Sequence, residues 1–91
     1  MVQESVKVSN RLGMHARPAA MFVSHASKFK SEVFIQKQGL KVNGKSIMGV
    51  MMLAAEMGSE LIISAEGEDE KEAVRELVEL VKSGFGDLKY L

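Results

Sequence analysis

Cysteine is absent from the 91 residues, and tryptophan with it. Without a thiol the chain has no disulfide, no thiolate to hold a metal and no thiol redox chemistry, which suits a reducing compartment. An excess of one charge sign is missing too: 12 Lys and Arg balance 12 Asp and Glu. Nucleic-acid binders usually show a basic excess or an aromatic platform. Here there is one Tyr, and the four Phe fall mostly on core-like positions. No apolar run approaches the roughly 18 residues of a membrane span. The opening MVQESVKV lacks the basic-then-apolar order of a secretory signal. The expectation is a cytoplasmic protein that engages neither nucleic acid nor membrane.

What is there suffices for one small domain over residues 1–91. Hydrophobic residues make up 46% and charged residues 26%, enough for a packed core of modest stability. Val2 to Val8 reads as a strand, since its second half alternates. From Ala16 the period changes: Ala19, Phe22, Val23 and Ala26, with Phe29 or Lys30 beyond, predict a helix with one buried stripe. Val33–Gln36 and Leu40–Val42 read as strands joined at Gln38-Gly39. Asn43-Gly44-Lys45 is a turn, and Ser46 is placed to cap a short helix from Ile47 to Leu53. Leu61–Ala65 is the most hydrophobic strand and is expected to be central. Asp69 is expected to cap a last helix with Ala73, Val74, Leu77, Leu80 and Val81 as its stripe, ending near Gly84. The order β-α-β-β-α-β-α predicts an α+β fold: a mostly antiparallel sheet with helices on one face.

One segment carries chemistry. In Gly13-Met14-His15-Ala16-Arg17-Pro18-Ala19 a histidine stands immediately before a helix. Helix N-termini present unpaired N–H groups and a partial positive charge, which makes them anion sites. Arg17 adds a charged fork suited to phosphate oxygens. Pro18 fixes the backbone of the first turn, and Gly13 is expected to leave the loop open. Taken alone this is an anion site, and the histidine adds a nucleophile. His25 falls mid-helix with no Arg beside it in sequence and is assigned no role. Two histidines ten residues apart without a matching carboxylate pattern make a poor metal site. The acidic run Glu66 to Glu72 is explained by the first turn of the last helix.

Methionine is plentiful, with seven residues. Met21 lies off the stripe of its helix, on the side of Arg17 and Ser24. In the short helix Ile47, Val50 and Leu53 or Ala54 are expected inside, and Met48, Met51 and Met52 cannot all join them. Adaptable thioethers beside a charged site suit a surface that binds several partners.

The segment around His15 resembles the active-site signature of HPr, the histidine-containing phosphocarrier family of the bacterial sugar phosphotransferase system. Lys45-Ser46-Ile47-Met48-Gly49-Val50-Met51 resembles that family's regulatory segment. Length and element order are similar as well. The resemblance implies an open-faced β-sandwich, a four-stranded antiparallel sheet with three helices on one face. It implies a stoichiometric carrier, acting as a monomer without cofactor, in place of an enzyme. Enzyme I would pass a phosphoryl group to His15, with Arg17 beside it, and His15 would pass it to an enzyme IIA domain. Ser46 would be phosphorylated by an ATP-dependent HPr kinase/phosphorylase, and a catabolite-control transcription factor becomes a further partner. Two other readings stay open. Lys82-Ser83-Gly84-Phe85-Gly86 and the Gly-Met-His opening resemble nitrogen-branch carriers. A regulatory module working through phospho-Ser46 would carry a similar second segment.

Overall fold

The hydrophobic run around Ile63 marks the middle of the molecule. In the computed structural model, which describes residues 1–86, this run is β4 (Glu60–Glu66). The other elements are β1 (Val2–Lys7), α1 (Ala16–Ala26), β2 (Glu32–Lys37), β3 (Leu40–Asn43), α2 (Ile47–Met52) and α3 (Glu70–Lys82). The sheet order is β1-β4-β2-β3 with every pair antiparallel, so β4 is central as its composition predicts. Gln38 (φ 49) and Gly39 (φ 87) form the two-residue turn between Lys37 and Leu40. Positive φ at both central residues is the hairpin geometry that matches strand twist, and glycine adopts it without strain.

Register decides which face is covered. Val33 opposes Ala65, Ile35 opposes Ile63, and Val6 opposes Leu61; all six are buried on one face. α3 packs across β1 and β4, α1 packs on α2 and α3, and α2 lies by β3. Phe22, Val50, Leu77 and Val81 fill the space between helices and sheet. On the other face Phe34 and Ile62 are half-buried, and the Lys41 ammonium stands 4.7 Å from the Phe34 ring centroid. The arrangement is the expected open-faced β-sandwich.

Three expectations need correction. α1 ends at Ala26, and Val23 is only half-buried; Phe29 reaches the core from the following turn. In α3, Val78 is buried and Leu80 is half-buried. These two flank the stripe on opposite sides at similar angles, so periodicity alone could not choose between them. Third, the Asp69 side chain does not cap α3. Its carboxylate accepts the main-chain N–H groups of Lys30 and Ser31, each at 2.9 Å, and the Ser31 hydroxyl. Glu70 bonds the Gly67 N–H instead. Asp69 therefore staples the entrance of β2 to the start of α3, a long-range tie that local pattern does not reveal.

The Ser31 hydroxyl and the Lys30 N–H hold the Asp69 carboxyl at about 2, below the ordinary 3.8. A depressed carboxyl contributes stability that is complete above the unfolded value and is lost as pH falls through the folded one. The stability advantage of the wild type over Asp69→Asn should therefore shrink as pH falls from about 4 to about 2. Thermal unfolding midpoints of both proteins across that window test this; a constant gap would contradict it.

Candidate functional site

The loop between β1 and α1 delivers His15 to a helix start. Val8 pairs with the loop before β4, donating to the Ser59 carbonyl at 2.9 Å and accepting from Gly58 at 2.8 Å. The Ser9 hydroxyl donates to the Lys82 carbonyl at 3.2 Å. Met14 is buried, and its N–H donates to the Ala55 carbonyl at 2.8 Å. Gly13 is buried as well, which corrects the expectation that it leaves the loop open. Its φ is +69°, and a Cβ there would sit 2.3 Å from the Ala55 oxygen. Gly13 is needed because the segment after α2 crosses against it.

His15 follows as the N-cap of α1, in extended conformation. Its carbonyl accepts the Ala19 N–H at 3.0 Å, and its side chain makes no capping bond. The side chain is half-buried, so one edge meets solvent. Pro18, buried in the first turn, has no N–H; the donors left at this terminus are those of Ala16 and Arg17. No acidic residue lies in the first turn to offset the field. Arg17 is exposed and makes no hydrogen bond or ion pair among the described residues. A nucleophilic ring, two main-chain donors and a guanidinium thus share one helix turn. Such a group can receive and hold a tetrahedral dianion.

Ser46 is the N-cap of α2, and its hydroxyl oxygen accepts the Gly49 N–H at 3.1 Å. The neighbouring Lys45 ammonium is turned away to the Phe29 carbonyl at 2.7 Å. Met48 (71%), Met52 (68%) and Met51 (39%) are exposed on α2, whereas Met21 is half-buried against the core. Ile47, expected inside, is 40% exposed. α2 has six residues and lies by the edge strand β3, so only Val50 and the following Leu53 reach the core. Met57 and Leu12 are exposed too, and the sequence did not single them out. Both sit in irregular segments, where periodicity offers no signal. His25 has an arginine near it after all: it lines a shallow cleft with Arg75, Glu79 and Ser83 of α3 and its end. Among the described residues no group of three or more His, Cys, Asp or Glu converges on a metal position, and no helix is long and apolar enough to cross a membrane.

Residues 2–83 match the family described as PTS-HPr, the PTS HPr component phosphorylation site. Phosphocarrier protein HPr of Neisseria meningitidis serogroup A is 47% identical over 87 residues, covering 96% of this chain and 98% of that protein. HPr-like protein Crh of Bacillus subtilis is 51% identical over 82 residues, covering 90% and 96%. The crystal structure of HPr-C-His from Thermoanaerobacter tengcongensis superposes with a TM-score of 0.91 at 48% identity, covering 96% and 98%.

Two substitutions probe how the site is built. Ser46→Ala should lower the unfolding free energy by about 1 kcal/mol, while Ser46→Asp, which also caps, should change it little. Gly13→Ala combines a positive φ with a backbone clash and should cost about 3 kcal/mol. Urea titration of the three variants measures both effects; a Gly13→Ala midpoint equal to wild type would reject the close approach.

Proposed function

We propose, from the premise that this chain belongs to the HPr family of phosphocarrier proteins, that His15 receives a phosphoryl group from enzyme I and passes it to enzyme IIA domains. The observation that carries the proposal is a half-exposed histidine at the N-cap of α1, one turn of which also holds Arg17 and unpaired N–H groups. The Nδ1 lone pair attacks phosphorus while the bond to the donor breaks, its electron pair staying with the donor. The three phosphoryl oxygens then meet Arg17 and the N–H groups of Ala16 and Arg17. The second transfer repeats the step with His15 as leaving group. That reversal requires moderate stabilisation: a ring of several cations would trap the phosphohistidine. One guanidinium, with one helix donor removed by Pro18, suits a carrier. Ring and donors come from one chain, so a monomer completes the site. The phosphotransfer partners imply a cytoplasmic location.

Ser46 is the second acceptor in this reading, modified by an ATP-dependent kinase. A phosphate there adds about −1.5 to −2 charges at a helix N-terminus, which tolerates an anion. The fold persists, and the effect falls on partners with acidic surfaces, as well as on a catabolite-control transcription factor that binds the modified form. Met48, Met51 and Met52 offer a polarisable, adaptable surface for these several partners, while Met21 is half-buried against the core. The similarity to a Crh protein supports a second reading, in which regulation through phospho-Ser46 dominates; the histidine at position 15 favours the carrier.

The test is direct. With enzyme I and labelled phosphoenolpyruvate, the wild type should gain acid-labile, base-stable label and His15→Ala none; an unlabelled wild type would sink the carrier reading. With the ATP-dependent kinase, wild type should gain acid-stable label that Ser46→Ala lacks. Equal acid-stable label on both would remove Ser46 from the site.

A further inference from the structure

Asn10 stands five residues before His15 and is 8% exposed. Its main-chain carbonyl accepts the Gly13 N–H at 3.2 Å, and its side-chain Nδ2 donates to the Gly13 carbonyl at 2.7 Å. Asn10 therefore closes a ring around the turn that ends at Gly13. The Gly13 carbonyl and the Met14 N–H belong to one peptide group. Asn10 holds the oxygen of that peptide, and the Ala55 carbonyl holds its N–H at 2.8 Å. Both polar ends of the peptide are fixed, and the next residue is His15.

The other end of the Asn10 amide is odd. Its Oδ1 is buried and has no hydrogen-bond partner among the described residues. A buried acceptor without a partner is unfavourable, and a purely packing role would be filled better by an apolar side chain. What an apolar residue cannot supply is the Nδ2 donor on the Gly13 oxygen.

We propose that Asn10 is a positioning residue for phosphoryl transfer: it fixes the plane of the Gly13–Met14 peptide and so sets the backbone from which the His15 ring projects at the start of α1. The inference rests on the carrier reading above and extends it to a residue that touches neither phosphate nor partner. An in-line transfer is sensitive to such aim, because a misplacement of the order of 1 Å can lower a rate by about a hundredfold.

The experiment uses the full chain as substrate of enzyme I, with Asn10→Ala, Asn10→Asp and Ser9→Ala. Asn10→Asp keeps the shape but offers no N–H to the Gly13 carbonyl. Ser9→Ala removes a neighbouring bond of the same loop, to the Lys82 carbonyl. Both Asn10 variants should show kcat lowered about tenfold with KM within about twofold, because docking surfaces are unchanged and only the reacting geometry is lost. Their His15 ring nitrogens should also shift in the ¹⁵N NMR spectrum, while Ser9→Ala resembles wild type in both measurements. Wild-type kcat in Asn10→Asp would overturn the proposal, even if Asn10→Ala failed to fold. Equal losses in Ser9→Ala would overturn it too, by tracing the effect to general loosening of the loop. A wild type that takes no phosphoryl group at all would bring down the carrier reading and this inference together, an outcome distinct from active wild type with active variants.

Discussion

The sheet has one face that must be covered, and most of the architecture follows from covering it. β4 and β2 carry Leu61, Ile63, Ala65, Val33 and Ile35 toward the same side. Burying that surface is the dominant favourable term in folding a chain of this size. α1 and α3, with one apolar stripe each, supply most of the cover and α2 adds Val50, and the connections must then climb from sheet to helix layer and back. The loop before α1 and the loop after α2 make that climb and cross each other, Gly13 against Ala55. The candidate site is built where they cross. His15 is thus positioned by packing between two loops and by the start of a helix, with no contribution from the open face.

The chemistry of a carrier imposes a balance that the geometry meets by restraint. Anion-binding strength at a helix terminus comes from N–H groups, helix field and nearby cations. α1 has no acidic residue in its first turn, yet Pro18 withholds one donor and Arg17 is the one cation in that turn. Ser46 at α2 is arranged differently. Its hydroxyl oxygen is already engaged by the Gly49 N–H, and the adjacent Lys45 is tied elsewhere. The two helix starts are chemically distinct: one presents a nucleophile to solvent, the other a capped hydroxyl beside an exposed methionine surface.

That surface owes its existence to the shortness of α2. A six-residue helix by the edge strand can bury little more than Val50, so Ile47, Met48, Met51 and Met52 remain outside. Unbranched thioethers keep such a patch adaptable, which suits contact with unlike partners.

The sequence by itself determined the element order, the central place of β4, the helix starts at His15 and Ser46, and the presence of Arg17 in the turn that His15 opens. These are local matters: strand composition, capping chemistry and residue spacing within a turn or two. Two motifs in their proper places also point to the family without reference to the fold. What only the tertiary structure decided were the long-range ties. Asp69 was legible as a cap because aspartate favours helix starts, but its carboxylate crosses to Lys30 and Ser31, which no local pattern records. Val78 and Leu80 flank their stripe evenly until α3 is docked. By residue type Gly13 suggests an opening, but in the fold it is a contact, and nothing local marks Asn10. The reason is common to all of them. Periodicity and capping report on neighbours along the chain, whereas the peptide just before position 15 is held by partners that include Ala55, brought there by folding.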